Sequence, residues 1–168
     1  MSISIGISIG VVKMPTWRYS MQIPEGEEDK YVKASLREVS ISHKHAIELA
    51  REIRGMMLDE ARRYLEEVIA MKRAVPFKRF KKKVPHRRGL QRWCTGRYPV
   101  KAARYFLKLL DNLENNAEFK GLDTSRLKIV HCVALMGRKR KKYIPRAFGR
   151  ATPYFDVLTH VEIIAKEV

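Results

Sequence analysis

Residues 127–168 read LKIVHCVALMGRKRKKYIPRAFGRATPYFDVLTHVEIIAKEV, and their reading decides the fold. Two strand-like runs, 127–136 and 157–168, are joined by twenty residues, 137–156, that include seven Lys or Arg, two prolines and a single acid. A hairpin turn needs only about two to five residues. In the second run Val157, Thr159, Val161, Ile163 and Ala165 alternate with Leu158, His160, Glu162, Ile164 and Lys166, the period of a strand with a core face. The joint has no such face, and five consecutive basic residues, Arg138, Lys139, Arg140, Lys141 and Lys142, repel one another at its root. At about 3.3 Å per residue, 127–146 extends to about 60 Å. The rest of the chain packs to a globule roughly 35 Å across. The hairpin therefore leaves the globule as an arm, ordered by a polyanion such as RNA or DNA.

Working outward, 30–39 reads as a strand, and Ser40 or Ser42 offers an N-cap to a helix that ends at Gly55. Its apolar stripe is Ala46, Ile47, Ala50 and Ile53. A second helix, 58–71, buries Ala61, Leu65, Val68 and Ile69. Pro99 starts a third, with Ala103, Phe106, Leu107, Leu110, Leu113 and Ala117 at helical spacing and Gly121 as its C-cap. The expected architecture is α+β: three helices packed on a small antiparallel sheet, with a long protruding β-hairpin. Residues 14–168 form one domain. Residues 1–13, in which Ile3, Ile5, Ile7, Ile9 and Val11 alternate with small residues, read as an added edge strand or tail and not a signal peptide, and Met14 is an equally good start.

The charge narrows the function. Among 168 residues, 35 Lys and Arg stand against 18 Asp and Glu, a formal net charge of +17. Such a chain repels itself unless it meets a polyanion, of which nucleic acid is the commonest. Cys94 and Cys132 lie far apart in sequence, so neither a disulfide framework nor a CxxC metal clip is suggested.

The positive charge concentrates twice, in the joint and in a loop at 72–98. No acid occurs from 68 to 110, where fourteen Lys and Arg residues do. Lys78, Arg79, Lys81, Lys82, Lys83, Arg87, Arg88, Arg92 and Arg97, with His86 and the nearby Lys101, are candidates for RNA contact. Phe77, Phe80, Trp93 and Tyr98 are interleaved with them, an arrangement suited to stacking on unpaired bases. Pro76, Pro85 and Gly89 break any periodicity. A loop this basic is expected to take its order from a phosphate backbone, and the opposing reading tucks its aromatics into the core.

No catalytic constellation is visible. The histidines of HKH, His43 and His45, point to different faces of a helix, and His131 and Cys132 to opposite faces of a strand. There is no Gly-rich phosphate loop and no nucleophile elbow. The pairs Asp59 and Glu60, and Glu66 and Glu67, read as solvated helix faces. No enzyme activity, metal or cofactor is expected.

Several stretches also carry a resemblance: RYS (18–20), HKHAIELAREIRGM (43–56), YLEEVIAMKRAVPFKRF (64–80), GRYPVKAARYFLKLLDNLENNAEFKGLD (96–123) and YIPRAFGRATP (143–153). Together they are similar to the universal large-subunit ribosomal protein family numbered twenty-two in bacteria and archaea and seventeen in eukaryotes. The KKKVPHRRGLQRWCTGRYP segment (81–99) resembles its archaeal and eukaryotic branch, with wording nearer the archaeal one. The likeness runs from about Thr16 to the end, and residues 1–13 have no counterpart in it. It implies a cytoplasmic protein of the large ribosomal subunit whose globular part sits near the mouth of the polypeptide exit tunnel. The implied partners are large-subunit RNA, neighbouring ribosomal proteins and the nascent peptide, with no membrane. Arg138 to Lys142 match the basic shank of the family's hairpin, followed here by Tyr143. Arg146, Ala147, Phe148, Gly149, Arg150 and Ala151 match the tip that lines the tunnel. A DNA-compacting protein or a ribosome-assembly factor would share the charge.

Overall fold

The structure, a computed structural model, describes residues 18–168. The readings made for residues 1–13 lie outside the described residues. A three-stranded antiparallel sheet has the order β1 (Tyr31–Val39), β7 (Asp156–Glu167), β4 (Leu127–Arg140). The last strand of the chain is thus the central one. Three helices, α1 (His43–Ile53), α2 (Leu58–Ile69) and α3 (Val100–Phe119), complete the core. α1 packs over β4, α3 over β1, and α2 against α3. Two two-residue strands, β2 (Val75–Pro76) and β3 (Gly96–Arg97), pair with each other between α2 and α3, and β5 (Tyr143–Pro145) pairs with β6 (Ala151–Pro153) at the far end of the hairpin.

Periodicity accounts for the core. Val161, Ile163 and Ala165 of β7 and Leu127, Ile129, Cys132 and Ala134 of β4 join Leu49, Ala50 and Ile53 of α1, Leu65 and Val68 of α2, and Phe106, Leu110 and Leu113 of α3 in one buried cluster. Leu49, Leu109 and Tyr64 belong to the buried set although their spacing did not single them out, while Ile47, Ile69 and Leu107, expected in it, are only partly buried. Ser42 occupies the N-cap of α1 without a side-chain capping bond. Gly55 follows α1 at φ +90°, and its N–H donates to the carbonyl of Ile129 at 2.8 Å while the Ile129 N–H donates to Met56 at 2.9 Å. The α1–α2 connection is thereby stitched to the free edge of β4, which covers an otherwise open strand.

The second face of β7 is buried as well. Leu158, Glu162 and Ile164 are all 2 % exposed or less. Glu162 accepts hydrogen bonds from the backbone N–H of Ser20 at 3.0 Å and from its hydroxyl at 2.9 Å, and the same hydroxyl lies 2.8 Å from Nε2 of His131. Residue 20 therefore crosses the sheet on the side away from the helices.

Beyond this core the hairpin projects, as its length requires. All of 138–155 is exposed. At Gly137, where the strands leave the globule, a Cβ would lie 2.6 Å from Nε2 of His160, so the ring packs directly on the backbone there. The tip is a single 3-10 turn, Ala147–Gly149, with Phe148 and Gly149 both at positive φ.

Candidate nucleic-acid interface

The 72–98 loop departs from expectation, because its order comes from the protein itself. α1 is buried on two sides: one packs on the sheet, and the other, carrying His45, Glu48 and Glu52, receives the loop. Glu48 is fully buried, and its carboxylate accepts from three successive backbone N–H groups, Lys78 at 3.2 Å, Arg79 at 2.8 Å and Phe80 at 2.8 Å. A buried carboxylate is tolerated only when paired or fully hydrogen-bonded, and here backbone amides satisfy it. Glu52 adds an ion pair to Lys78 at 2.8 Å. Phe77 is 2 % exposed and sits edge-on to His45 at 5.3 Å; its carbonyl accepts from the Trp93 indole N–H at 2.9 Å and the Thr95 hydroxyl at 3.1 Å. Arg87 donates its N–H to Cys94, and Gly96 donates to Pro85, closing the segment on itself. A Cβ on Gly96 would stand 2.9 Å from the Val75 carbonyl, so this closure needs glycine.

The aromatics are divided accordingly. Phe77 belongs to the core, Phe80 packs edge-on to His43 at 6.3 Å, and the indole N–H of Trp93 is already bonded. Each of the three thus has a partner within the protein, and of them only Phe77 is fully buried, Phe80 and Trp93 being half-buried. Tyr98 carries the Arg87 guanidinium 5.3 Å from its ring centre. The hydrogen-bond partners of Glu48 are backbone groups, which leave no mark in a sequence. A glutamate three residues from each of the helix neighbours His45 and Arg51 looks like any solvated acid.

Anchoring the backbone turns the charged side chains outward. Arg79, Lys81, Lys82 and Arg97 meet Lys44 and His45 around a groove of about 400 Å³. Arg79 also lines a second groove of about 340 Å³ between α1 and β4, where Arg51 and Arg54 stand over Ala50, Val133 and Leu135. The Arg54 guanidinium is fixed by a 2.8 Å bond to the carbonyl of Cys132. Arg51 and Arg54 were not singled out from the sequence; their i, i+3 spacing on the helix is the signal that could have found them. Lys101 stands apart, with Arg104 and Lys108 along the exposed face of α3. Lys83, His86, Arg87, Arg88 and Arg92 are all exposed, and the half-buried Arg97 donates to the Lys83 carbonyl at 3.0 Å.

Burial holds His45 below the usual imidazole range, with the charge of Arg97 acting in the same direction. His43 and His131 are lowered for the same leading reason. The thiol of Cys132 is pushed up by complete burial, which makes it inert, and Cys94 is exposed.

On the arm, Arg138 lies 3.7 Å from Glu38 and Lys142 pairs with Asp156, whose carboxyl that lysine lowers. Among the described residues, Lys139, Arg140, Lys141, Arg146 and Arg150 have no ion pair. Arg146 is steadied by its N–H to the Arg150 carbonyl at 2.7 Å and by the Thr152 hydroxyl at 3.3 Å from Nε. Tyr143 and Phe155 meet edge to face at 6.0 Å across the two strands, and Phe148 at the tip is 97 % exposed. No group of three or more potential metal ligands occurs among the described residues, and no described helix is long and apolar enough to cross a membrane.

Comparison with known proteins gives one consistent result. A family model described as ribosomal protein L22p/L17e matches residues 34–166. The large ribosomal subunit protein uL22 of Thermofilum pendens is 58 % identical over 155 residues, covering 92 % of this chain and 99 % of the relative. Its counterpart in Archaeoglobus fulgidus is 56 % identical over 153 residues, covering 91 % and 99 %, and that of Methanopyrus kandleri is 51 % identical over 156 residues, covering 92 % and 98 %.

Proposed function

The chain belongs to the ribosomal protein L22p/L17e family, in its archaeal form, and from that premise we propose how its two basic regions divide the work. It is a structural constituent of the large ribosomal subunit that binds large-subunit RNA. Its contribution is architectural: it folds and holds RNA. The globular part binds the subunit surface through the grooves around Arg79, with Lys81, Lys82, Arg97, Arg51 and Arg54 neutralising phosphates. The hairpin threads into the RNA, its shank from Arg138 to Lys142 passing between converging phosphates. The tip, Arg146 to Ala151, lies on the wall of the exit tunnel, where it meets the nascent peptide. Neighbouring ribosomal proteins share the surface of the globule.

One observation carries this reading: an uninterrupted run, 138–155, is exposed and contains seven Lys or Arg residues and no acid. An isolated two-stranded ribbon is marginal in water, so an arm of this length is useful only when something surrounds it. Deleting 139–152 tests it. Subunits should still assemble, since the globular grooves remain, while chemical reactivity of the tunnel-wall RNA changes and the response to an arrest peptide is altered. Unchanged RNA reactivity together with an unchanged arrest would contradict the tunnel assignment. Duplex DNA bound as tightly as large-subunit RNA would contradict the RNA assignment.

A further inference from the structure

Between α1, α2 and the 72–98 loop lies a cavity of about 530 Å³ that the phosphate-binding account does not use. Its charge balance differs from that of the grooves around Arg79. Glu52 and Glu67 face it together with Lys72 and Arg73. Lys78 already holds Oε1 of Glu52 at 2.8 Å, and Arg73 approaches Oε2 of Glu67 at 3.4 Å. With its acids and bases balanced, the cavity selects neither a phosphate nor a cation.

What it offers is hydrogen bonding. Tyr64 lines it and is 3 % exposed, and among the described residues its hydroxyl is a buried side-chain group with no hydrogen-bond partner. The charges that act on this hydroxyl are those of Glu52, Arg73 and Glu67, all lining the same space. Leaving a buried hydroxyl unpaired is unfavourable, and folded proteins keep few such groups without a reason. The Arg73 guanidinium lies 4.6 Å from the Tyr64 ring centre, and Ala74, Pro76 and Leu90 supply apolar wall.

A neutral, flat ligand with a donor edge and an acceptor fits these groups. Unpaired RNA bases are recognised through their edges and by stacking on aromatic or Arg planes. Guanine matches best: N1–H and N2–H₂ present adjacent donors to a carboxylate, and O6 can accept from a hydroxyl. We infer that this cavity takes one guanine base extruded from large-subunit RNA, its donor edge on the carboxylates of Glu52 and Glu67 and its O6 on the Tyr64 hydroxyl. Lys72 and Arg73, both exposed at the entrance, accompany the attached phosphates. The inference rests on the RNA-binding reading above.

A glyoxal reagent that adds across guanine N1 and N2 tests it, applied to large-subunit RNA with the full chain and with two variants. Tyr64→Phe removes only the hydroxyl, and Leu90→Trp fills the cavity. The wild-type chain should protect an unpaired guanine that regains reactivity with Leu90→Trp and partly with Tyr64→Phe. Tyr64→Phe should weaken RNA binding about threefold to tenfold, the span of one neutral hydrogen bond. It should leave the thermal stability of the free chain unchanged or raised, because the hydroxyl has no protein partner to lose. The same guanine protections with wild type and both variants would overturn the inference while leaving RNA binding intact. So would a Tyr64→Phe variant that destabilises the free chain and binds RNA normally. Where Leu90→Trp fails to fold, Tyr64→Phe alone decides. A wild-type chain that does not bind the RNA at all would overturn the underlying reading with it.

Discussion

The 72–98 loop and the 138–155 arm are alike in composition, rich in Lys, Arg and aromatics with no acid, yet they are held by different means. The loop's backbone is bonded to a buried carboxylate on α1, its Phe77 lies in the core, and Trp93 and Thr95 lock onto the Phe77 carbonyl. The arm's backbone is bonded strand to strand along the hairpin, and none of the side chains of 138–155 is buried. Positive charge in sequence points to a polyanion partner, but not to whether the protein has fixed the charged surface beforehand. A fixed loop can present its cations without further loss of backbone entropy, whereas an arm must surrender that entropy on binding.

The difference can be broken from either side. The largest effect should come from Glu48→Ala, which leaves the N–H groups of Lys78, Arg79 and Phe80 without their acceptor. Denaturant unfolding of the free chain should show a loss of about 3 to 5 kcal/mol, the scale of several charge-assisted bonds removed together. The arm should behave oppositely. In Lys139→Glu with Lys141→Glu, both exposed, free-chain stability should change by less than about 0.5 kcal/mol. Affinity for large-subunit RNA should nevertheless fall more than about tenfold, and the logarithmic salt slope should flatten by about 0.7 to 0.9 for each phosphate no longer neutralised. A smaller effect should mark the boundary between the regions. Gly137→Ala places a methyl against the His160 ring, which cannot easily withdraw because its Nδ1 accepts from the Glu38 N–H at 3.0 Å. It should cost about 1 to 3 kcal/mol by overpacking.

The smallest effect is the response to pH. His45 and His131 have folded-state pKa values depressed by burial, so below their unfolded value of about 6.5 the unfolded chain binds more protons. Stability should hold above that pH and decline as pH falls from about 6.5 through the folded values. Thermal melts between about pH 7.5 and about pH 5.5 check the sign, and His45→Phe should flatten the curve.

Much of this was legible in the sequence where periodicity does the specifying. The three helices, the early strand and the alternation of Val157 to Ala165 follow from apolar spacing, and the arm follows from its length against the size of the globule. What escaped was specified otherwise. β2 and β3 are two residues each, too short to show a period. Glu48 looks solvated because its partners are main-chain amides, and Glu162 because the residue that covers it, Ser20, lies 142 positions away. Arg51 and Arg54 lie outside the two basic clusters and join the candidate interface only because α1 packs beside β4. The proposed tunnel role comes from the resemblance alone, since no spacing carries it.

Amide hydrogen exchange on the full chain, first free and then bound to large-subunit RNA, tests most directly the claim that protein fixes one basic region and RNA the other. In the free chain the N–H groups of Arg79 and Phe80 should be protected, and those of 140–150 should exchange freely. On binding, 140–150 should become protected while Arg79 and Phe80 change little. Strong protection of 140–150 without RNA, or rapid exchange at Arg79 and Phe80, would contradict the account.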